Sequence, residues 1–244
     1  MRNTHYILIF VISLNISSQS IVDIENLRHS GEIGYFKSLG LSVNGSRGNE
    51  DRDDYKLDFS VARNNEDIES FFTINNSKRT KNNVIEDKSS FFHGRVLLKS
   101  ESFYSYEFYI QGSKNPFQSY RKRDLAGAGI RINAKNKYKV GLSFLQEKEE
   151  SLSGIFKKTE RVNLYLYKKF ILKNDNSLTG SLFYQPSIND FGSDYKISLL
   201  TSFNFPITDN LKISFQVSSS LDNDPPDISE KSNHSFSTNF RYSF

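Results

Sequence analysis

Ser235-Phe236-Ser237-Thr238-Asn239-Phe240-Arg241-Tyr242-Ser243-Phe244 closes the sequence. Phe236, Thr238, Phe240, Tyr242 and Phe244 share one parity, and Ser235, Ser237, Asn239, Arg241 and Ser243 share the other. Successive side chains of a β-strand point to opposite faces, so this stretch predicts a strand with one apolar, aromatic face and one polar face. The same rhythm recurs upstream, and helical periodicity is nearly absent after residue 31.

Working back from that end, the alternation predicts about twelve strands. Ile33, Tyr35, Leu39, Leu41 and Val43 mark the first, Tyr55, Leu57, Phe59 and Val61 the second, and Ile68, Phe72 and Ile74 the third. Phe92, Val96 and Leu98 mark the fourth, Tyr104, Tyr106, Phe108 and Ile110 the fifth, and Ala126, Ala128, Ile130 and Ile132 the sixth. The seventh carries Tyr138, Val140, Leu142 and Phe144, and the eighth Val162, Leu164, Leu166 and Phe170. The ninth carries Leu178, Leu182 and Tyr184, the tenth Tyr195, Ile197, Leu199, Phe203 and Phe205, and the eleventh Leu211, Ile213, Phe215 and Val217. In nearly every case polar residues occupy the opposite phase.

The first residues are of another kind. Arg2 precedes the apolar run from Tyr6 to Leu14, followed by the small, polar stretch Asn15-Ile16-Ser17-Ser18-Gln19-Ser20. A positive end, a short apolar core and small residues predict a secretory signal peptide over 1–20, cut near Ile21. The run is well short of the roughly 20 residues that a spanning helix needs. Residues 21–30 are expected to form a short periplasmic lead-in and 31–244 the folded domain.

Composition agrees. With Cys 0, neither a disulfide scaffold nor a thiolate metal site can form. The hydrophobic fraction is 36% and mean hydropathy is -0.55, too polar for a helical membrane protein. A barrel escapes that objection, because only the lipid-facing half of each strand must be apolar. Aromatics reach 14%, from Phe 21 and Tyr 13, which suits strands and interfacial girdles. The net charge of +4 lies along no single helix or compact patch, so nucleic acid is not an expected partner.

The connections alternate in the sequence pattern. Short turns are expected at 64–67, 99–102, 135–137, 173–177 and 206–210, and long polar loops at 46–53, 78–88, 114–123, 147–160, 187–194 and 220–233. This alternation predicts an all-β fold: a transmembrane up-and-down antiparallel β-barrel of about 12 strands, with short periplasmic turns and longer outer loops. Closure gives every backbone donor and acceptor in lipid an internal partner. The terminal strand resembles the closing strand of bacterial outer-membrane barrels. That resemblance implies that Phe240, Tyr242 and Phe244 form the signal read by the barrel-assembly machinery.

With the apolar phase outward, the inward phase carries Lys56, Asp58, Glu69, Arg95, Glu107, Arg131, Lys139, Lys196, Lys212 and Arg241. Opposite charges on neighbouring strands either pair and plug a narrow lumen or line a small pore with a preference for anions. The predicted loops hold basic clusters: Lys78, Arg79 and Lys81, then Arg121, Lys122 and Arg123, then Lys157 and Lys158. They serve loop solubility or hold lipopolysaccharide phosphates by charge-assisted hydrogen bonds. Acidic residues in the same loops match no EF-hand spacing, and no cofactor or metal is expected. His93 and His234 each have serine neighbours in the sequence, but no Gly-x-Ser-x-Gly elbow is present, so no catalytic residue is assigned. The glycine pair Gly127 and Gly129, inward beside Arg131, predicts room for a bulky neighbour or a bend in the wall.

Several elements in order resemble the YdiY-type family of salt-induced outer-membrane proteins, whose function is unknown. Gly48-Asn49 is similar to its Gly-Asn-Thr element, with Glu50 in the threonine's place. Arg123, Gly127 and Gly129 match its Arg-x-x-x-Gly-x-Gly strand entry, Asp194-Tyr195 opens a late strand, and Asp222-Asn223-Asp224-Pro225-Pro226 resembles its Asp-x-x-Pro-Pro loop. The resemblance spans about 31–244. It implies a bacterial outer-membrane barrel linked to osmotic or salt stress, with no substrate or catalytic residue. The expected protein is a monomeric, non-enzymatic barrel in outer-membrane lipid. A narrow diffusion channel for small solutes is the first alternative and a lipid-modifying enzyme the second.

Overall fold

The structure is a computed structural model that describes residues 24–28, 32–117, 120–134, 138–208, 211–225 and 230–242. Twelve strands form one antiparallel sheet in chain order: β1 (Gly34–Ser46), β2 (Arg52–Asn64), β3 (Ile68–Lys81), β4 (Val84–Leu98), β5 (Tyr104–Lys114), β6 (Lys122–Ala134), β7 (Tyr138–Glu150), β8 (Phe156–Ile171), β9 (Ser177–Pro186), β10 (Tyr195–Pro206), β11 (Leu211–Asp222) and β12 (Ser232–Tyr242). This is the up-and-down order expected from the sequence. A single helical turn, α1 (Ile24–Leu27), precedes the sheet.

The two-residue rhythm holds along the wall. On β5, Tyr106, Phe108 and Ile110 are exposed while Ser105, Glu107 and Tyr109 are buried. On β7, Leu142 and Phe144 are exposed while Ser143, Leu145, Glu147 and Glu149 are buried. A soluble protein would reverse this pattern. Apolar side chains facing out and polar ones facing in fit hydrocarbon as the outer solvent. No described helix is long and apolar enough to cross a membrane. The sheet rolls up until opposite sides of its inner face meet. Phe36 of β1, Ala62 of β2, Phe71 of β3 and Phe183 of β9 gather around Ile24 and Leu27 of α1. Among the described residues no ladder joins β1 to β12. The outward Leu41 and Val43 of β1 are 74% and 73% exposed, against 47% and 49% for Leu142 and Phe144 mid-wall.

The connections differ from expectation. Strands run further than hydropathy suggests, so the segment 78–88 is no loop. β3 and β4 meet at Asn82 and Asn83, both at positive φ (48° and 65°). That geometry suits a tight hairpin whose twist matches the strands, and Asn tolerates it. The segment 147–160 shrinks likewise to 151–155. Strict short–long alternation therefore fails, since 82–83 is shorter than 99–103 on the other end. The end with 47–51, 115–121, 187–194 and 223–231 is called the loop end here, and the other the turn end.

Aromatic side chains collect near both ends. Tyr184 lies 6.2 Å from Phe191 and 6.1 Å from Tyr195 at the loop end, and Tyr104 lies 5.6 Å from Tyr106 at the turn end. Such belts belong at headgroup level. The predicted signal peptide and the assembly-signal residue Phe244 lie outside the described residues. Register places Phe240 opposite Ile213 and Tyr242 opposite Leu211, but their side chains also lie outside what is described.

The inward glycines act as expected for one position, and a third glycine does the same. A Cβ on Gly127 would stand 2.4 Å from the Tyr109 ring, and one on Gly141 would stand 1.9 Å from the Tyr165 ring. Both rings are buried and lie along the inner wall over the paired residue of the next strand, so the wall must be bare beneath them. Gly141→Ala is expected to destabilise the barrel by about 1–3 kcal/mol through overpacking. The urea midpoint of refolded protein measures this, and adding Tyr165→Leu should recover part of the loss.

Candidate functional site

The inward-facing charges gather into two layers with a neutral belt between them. The loop-end layer centres on Glu147 of β7. Its carboxylate accepts from Arg123 Nε of β6, from Arg161 Nε of β8 at 2.7 Å and from Lys196 Nζ of β10 at 3.2 Å. Lys196 also reaches Glu149 at 2.6 Å and Asp222 of β11 at 3.2 Å. Arg161 Nη1 meets Asp194 at 2.7 Å, and Lys157 Nζ meets Asp194 at 2.9 Å and Asp224 at 2.5 Å. Glu147 and Arg161 are each 0% exposed. Buried charges survive only when paired and hydrogen-bonded. Here Arg123, Arg161, Lys196 and Lys157 face the buried Glu147, Glu149, Asp194 and Asp222, with the exposed Asp224 as a fifth carboxylate at the rim. Tyr120, also buried, sits at this end with its hydroxyl 3.2 Å from Ser113 Oγ.

The turn-end layer is built around α1. Arg28 Nη2 donates to Glu69 of β3 at 2.8 Å and Arg28 Nη1 lies 3.6 Å from Glu107 of β5. Glu107 also receives Arg95 Nη1 of β4 at 2.6 Å. Glu25 takes Arg131 Nη2 of β6 at 2.9 Å and Lys139 Nζ of β7 at 2.5 Å. Lys99 Nζ stands 3.5 Å from Glu69. Among these described ion pairs five cations face three carboxylates. Residues 24–28 of the lead-in thus stand against the inner face of the sheet.

Between the layers, Tyr109, Leu125 and Leu145 pack together, and the Tyr109 hydroxyl, Ser143 and Asn163 share hydrogen bonds of 2.8 to 3.5 Å. His93 is buried against Phe71, Phe91 and Tyr109 with Nδ1 at 3.0 Å from Gln111. That is the setting of a packed histidine. His234 Nδ1 lies 2.9 Å from Ser219 Oγ on the exposed face of β12 and β11.

Of the residues predicted to line the lumen, Glu69, Arg95, Glu107, Arg131 and Lys139 converge in the turn-end layer and Lys196 in the loop-end layer. Lys56 and Asp58 face inward on β2 but stay solvent-exposed, with Asn75 Nδ2 donating to Asp58 at 2.6 Å. Lys212 and Arg241 are cross-strand partners, and their side chains lie outside the described residues. Sequence reading missed Glu25, Arg28, Arg161 and Glu147, and placed Arg123 and Lys157 among free loop cations. Several other loop cations also hold the chain's own carboxylates. Arg79 pairs with Asp54 at 2.7 Å, Lys81 with Glu50 at 2.8 Å, and Lys122 with Asp124 at 2.6 Å. The Lys81 ammonium holds the Glu50 carboxyl below its usual range.

Arg123, Asp194 and Asp222 were read from three separate motifs, and the fold brings them into one ionic layer. A family model described as "Protein of unknown function, DUF481" matches residues 39–146 and 165–244. The chain belongs to the DUF481 family. This is the YdiY-type family that the motifs resemble, and its match spans every motif quoted for that resemblance. No curated protein matches the chain. Among solved structures, this DUF481 chain is similar to the NanC porin, with 11% identity and a TM-score of 0.48 over 84% of this chain and 100% of that one. It is also similar to the β domain of the Bordetella autotransporter BrkA, with 10% identity and a TM-score of 0.35 over 86% and 98% of the two chains.

Proposed function

We propose that this DUF481 protein is an integral barrel of the bacterial outer membrane whose lumen is filled at rest, and that it serves envelope integrity under salt or osmotic stress without enzymatic activity. The observation that carries this reading is the pair of buried ionic layers. Lys196 on β10 reaches across to β7, and Arg28 ties β3 to β5 from inside the lumen. Ions held this way block a water column and stiffen the wall against lateral strain. Its partners on this reading are membrane lipid and lipopolysaccharide, with the assembly machinery acting during biogenesis, and it works as a monomer. Lys78 of β3 and Lys158 of β8, both exposed near the loop end of the wall, are the cations on this reading that meet headgroup phosphates.

A second reading, a narrow diffusion channel, has one observation in its favour. Along β1 and β2 the inward Ser38, Asn44, Lys56 and Asp58 are exposed to solvent, opposite the packed β5–β10 wall. Planar-bilayer recording separates the two. The filled-barrel reading expects no steady open steps in potassium chloride, and steady single-channel steps from purified protein would overturn it.

A further inference from the structure

Glu25 is the one carboxylate described beside Arg131, and it is supplied by a helical turn instead of by the wall. Arg131 Nη2 lies 2.9 Å from Oε1 and 3.0 Å from Oε2, Lys139 Nζ lies 2.5 Å from Oε2, and Oε2 is the oxygen that accepts their hydrogen bonds. Arg131 is 2% exposed, yet its Nε and Nη1 meet no hydrogen-bond partner. A buried guanidinium with unused donors has more capacity than Glu25 fills, and leaving such donors unmatched is costly. The surroundings are also cationic on balance, since Arg95, Arg28 and Lys99 share Glu107 and Glu69. The turn is held only by non-covalent contacts. Ile24 and Leu27 pack on Ala62, Phe71, Phe36 and Phe183, and Asn64 Nδ2 donates to the Arg28 carbonyl at 2.6 Å.

We propose that Arg131 and Lys139 form a binding site for a small free carboxylate at the turn end of the lumen, and that Glu25 occupies it in cis as a built-in substitute. The proposal rests on the filled-barrel reading and assigns a ligand class to its lower layer. The planar carboxylate group suits a guanidinium offering two parallel donors, and Lys139 adds a point charge at the second oxygen. Arg28 keeps its own bonds to Glu69 and Glu107, so the turn stays anchored when the Glu25 carboxylate is removed.

The test is chemical rescue. Full-length protein, refolded in detergent, is compared as wild type, Glu25→Ala and Glu25→Ala with Arg131→Gln, by thermal unfolding in sodium propionate against sodium chloride at equal ionic strength. A ligand that binds the folded form alone raises the midpoint in a saturable way. Propionate is expected to raise the midpoint of Glu25→Ala well beyond chloride. Half-saturation should lie about tenfold below that of the Arg131→Gln double variant, and wild type should respond weakly because its site is filled. Equal responses to propionate and chloride, or a response indifferent to Arg131, would overturn the proposal. Equal rescue by inorganic phosphate would overturn the carboxylate assignment. Glu25→Ser, which also vacates the carboxylate position, provides the same comparison if the alanine variant fails to refold. Bilayer conductance is measured on the wild type separately, so open steps there strike the filled-barrel reading while the rescue result still decides the site.

Discussion

Glu147→Gln is expected to cost the folded barrel about 3–5 kcal/mol, because it removes one partner of a buried ionic network and leaves the others short of charge. Arg123, Arg161 and Lys196 all donate to this one carboxylate, and Glu147 has no exposed surface. Glu149, Asp194 and Asp222 remain, so all four cations keep a carboxylate within 3.5 Å, but Arg123, Arg161 and Lys196 each lose one. The loss is the desolvation of buried cations with one partner fewer to offset it. Urea titration of protein refolded into lipid vesicles measures the effect. A change within about 0.5 kcal/mol, the range of ordinary surface substitutions, would mean that the layer is hydrated and that Glu147 is no keystone. Replacing the whole layer with well-packed apolar residues is a different experiment and need not destabilise.

Leu164→Arg should be nearly as damaging, through the other face of the wall. Leu164 points outward on β8, between the inward Asn163 and Tyr165. A lipid-facing arginine near the bilayer midplane costs about 2–4 kcal/mol, falling to about 0–1 kcal/mol near an interface. Phe156, outward at the loop-end start of β8 and 62% exposed, is the matched control. Phe156→Arg should refold almost as well as wild type while Leu164→Arg should not. Equal effects at the two positions would remove the depth dependence that hydrocarbon imposes.

The outer face of this protein was almost fully readable from its sequence, because one physical rule governs it: every second residue meets lipid. Phe108, Ile110, Leu142, Phe144 and Leu166 all stand where alternation places them. The inner face was readable only in outline. Parity identified Arg95, Glu107, Arg131 and Lys196 as inward, but parity says nothing about which strand a long side chain reaches. Glu147 was lost inside an expected loop because Gln146 and Lys148 beside it are polar. There the strand has climbed above the apolar band while its ladder continues to Glu150 paired with Phe156. Lys78 and Arg79 misled in the same way, since the β3 to β4 hairpin needs only Asn82 and Asn83 to turn. Arg28 and Glu25 carried a faint signal, with apolar Ile24 and Leu27 three apart on a single helical turn. One turn is too short for periodicity to register. Its place in the lumen follows from partners far along the chain, Glu69 and Arg131, which no local pattern reveals.

The claim beneath all of this is that the sheet is a lipid-facing barrel with a polar, packed interior. Gel migration of unheated protein extracted from the outer-membrane fraction tests it most directly. The account predicts recovery in that fraction and a compact band that shifts only after boiling, as a barrel stabilised by its wall and its ionic layers must unfold first. A protein found in the soluble fraction, migrating identically with and without heat, would contradict it.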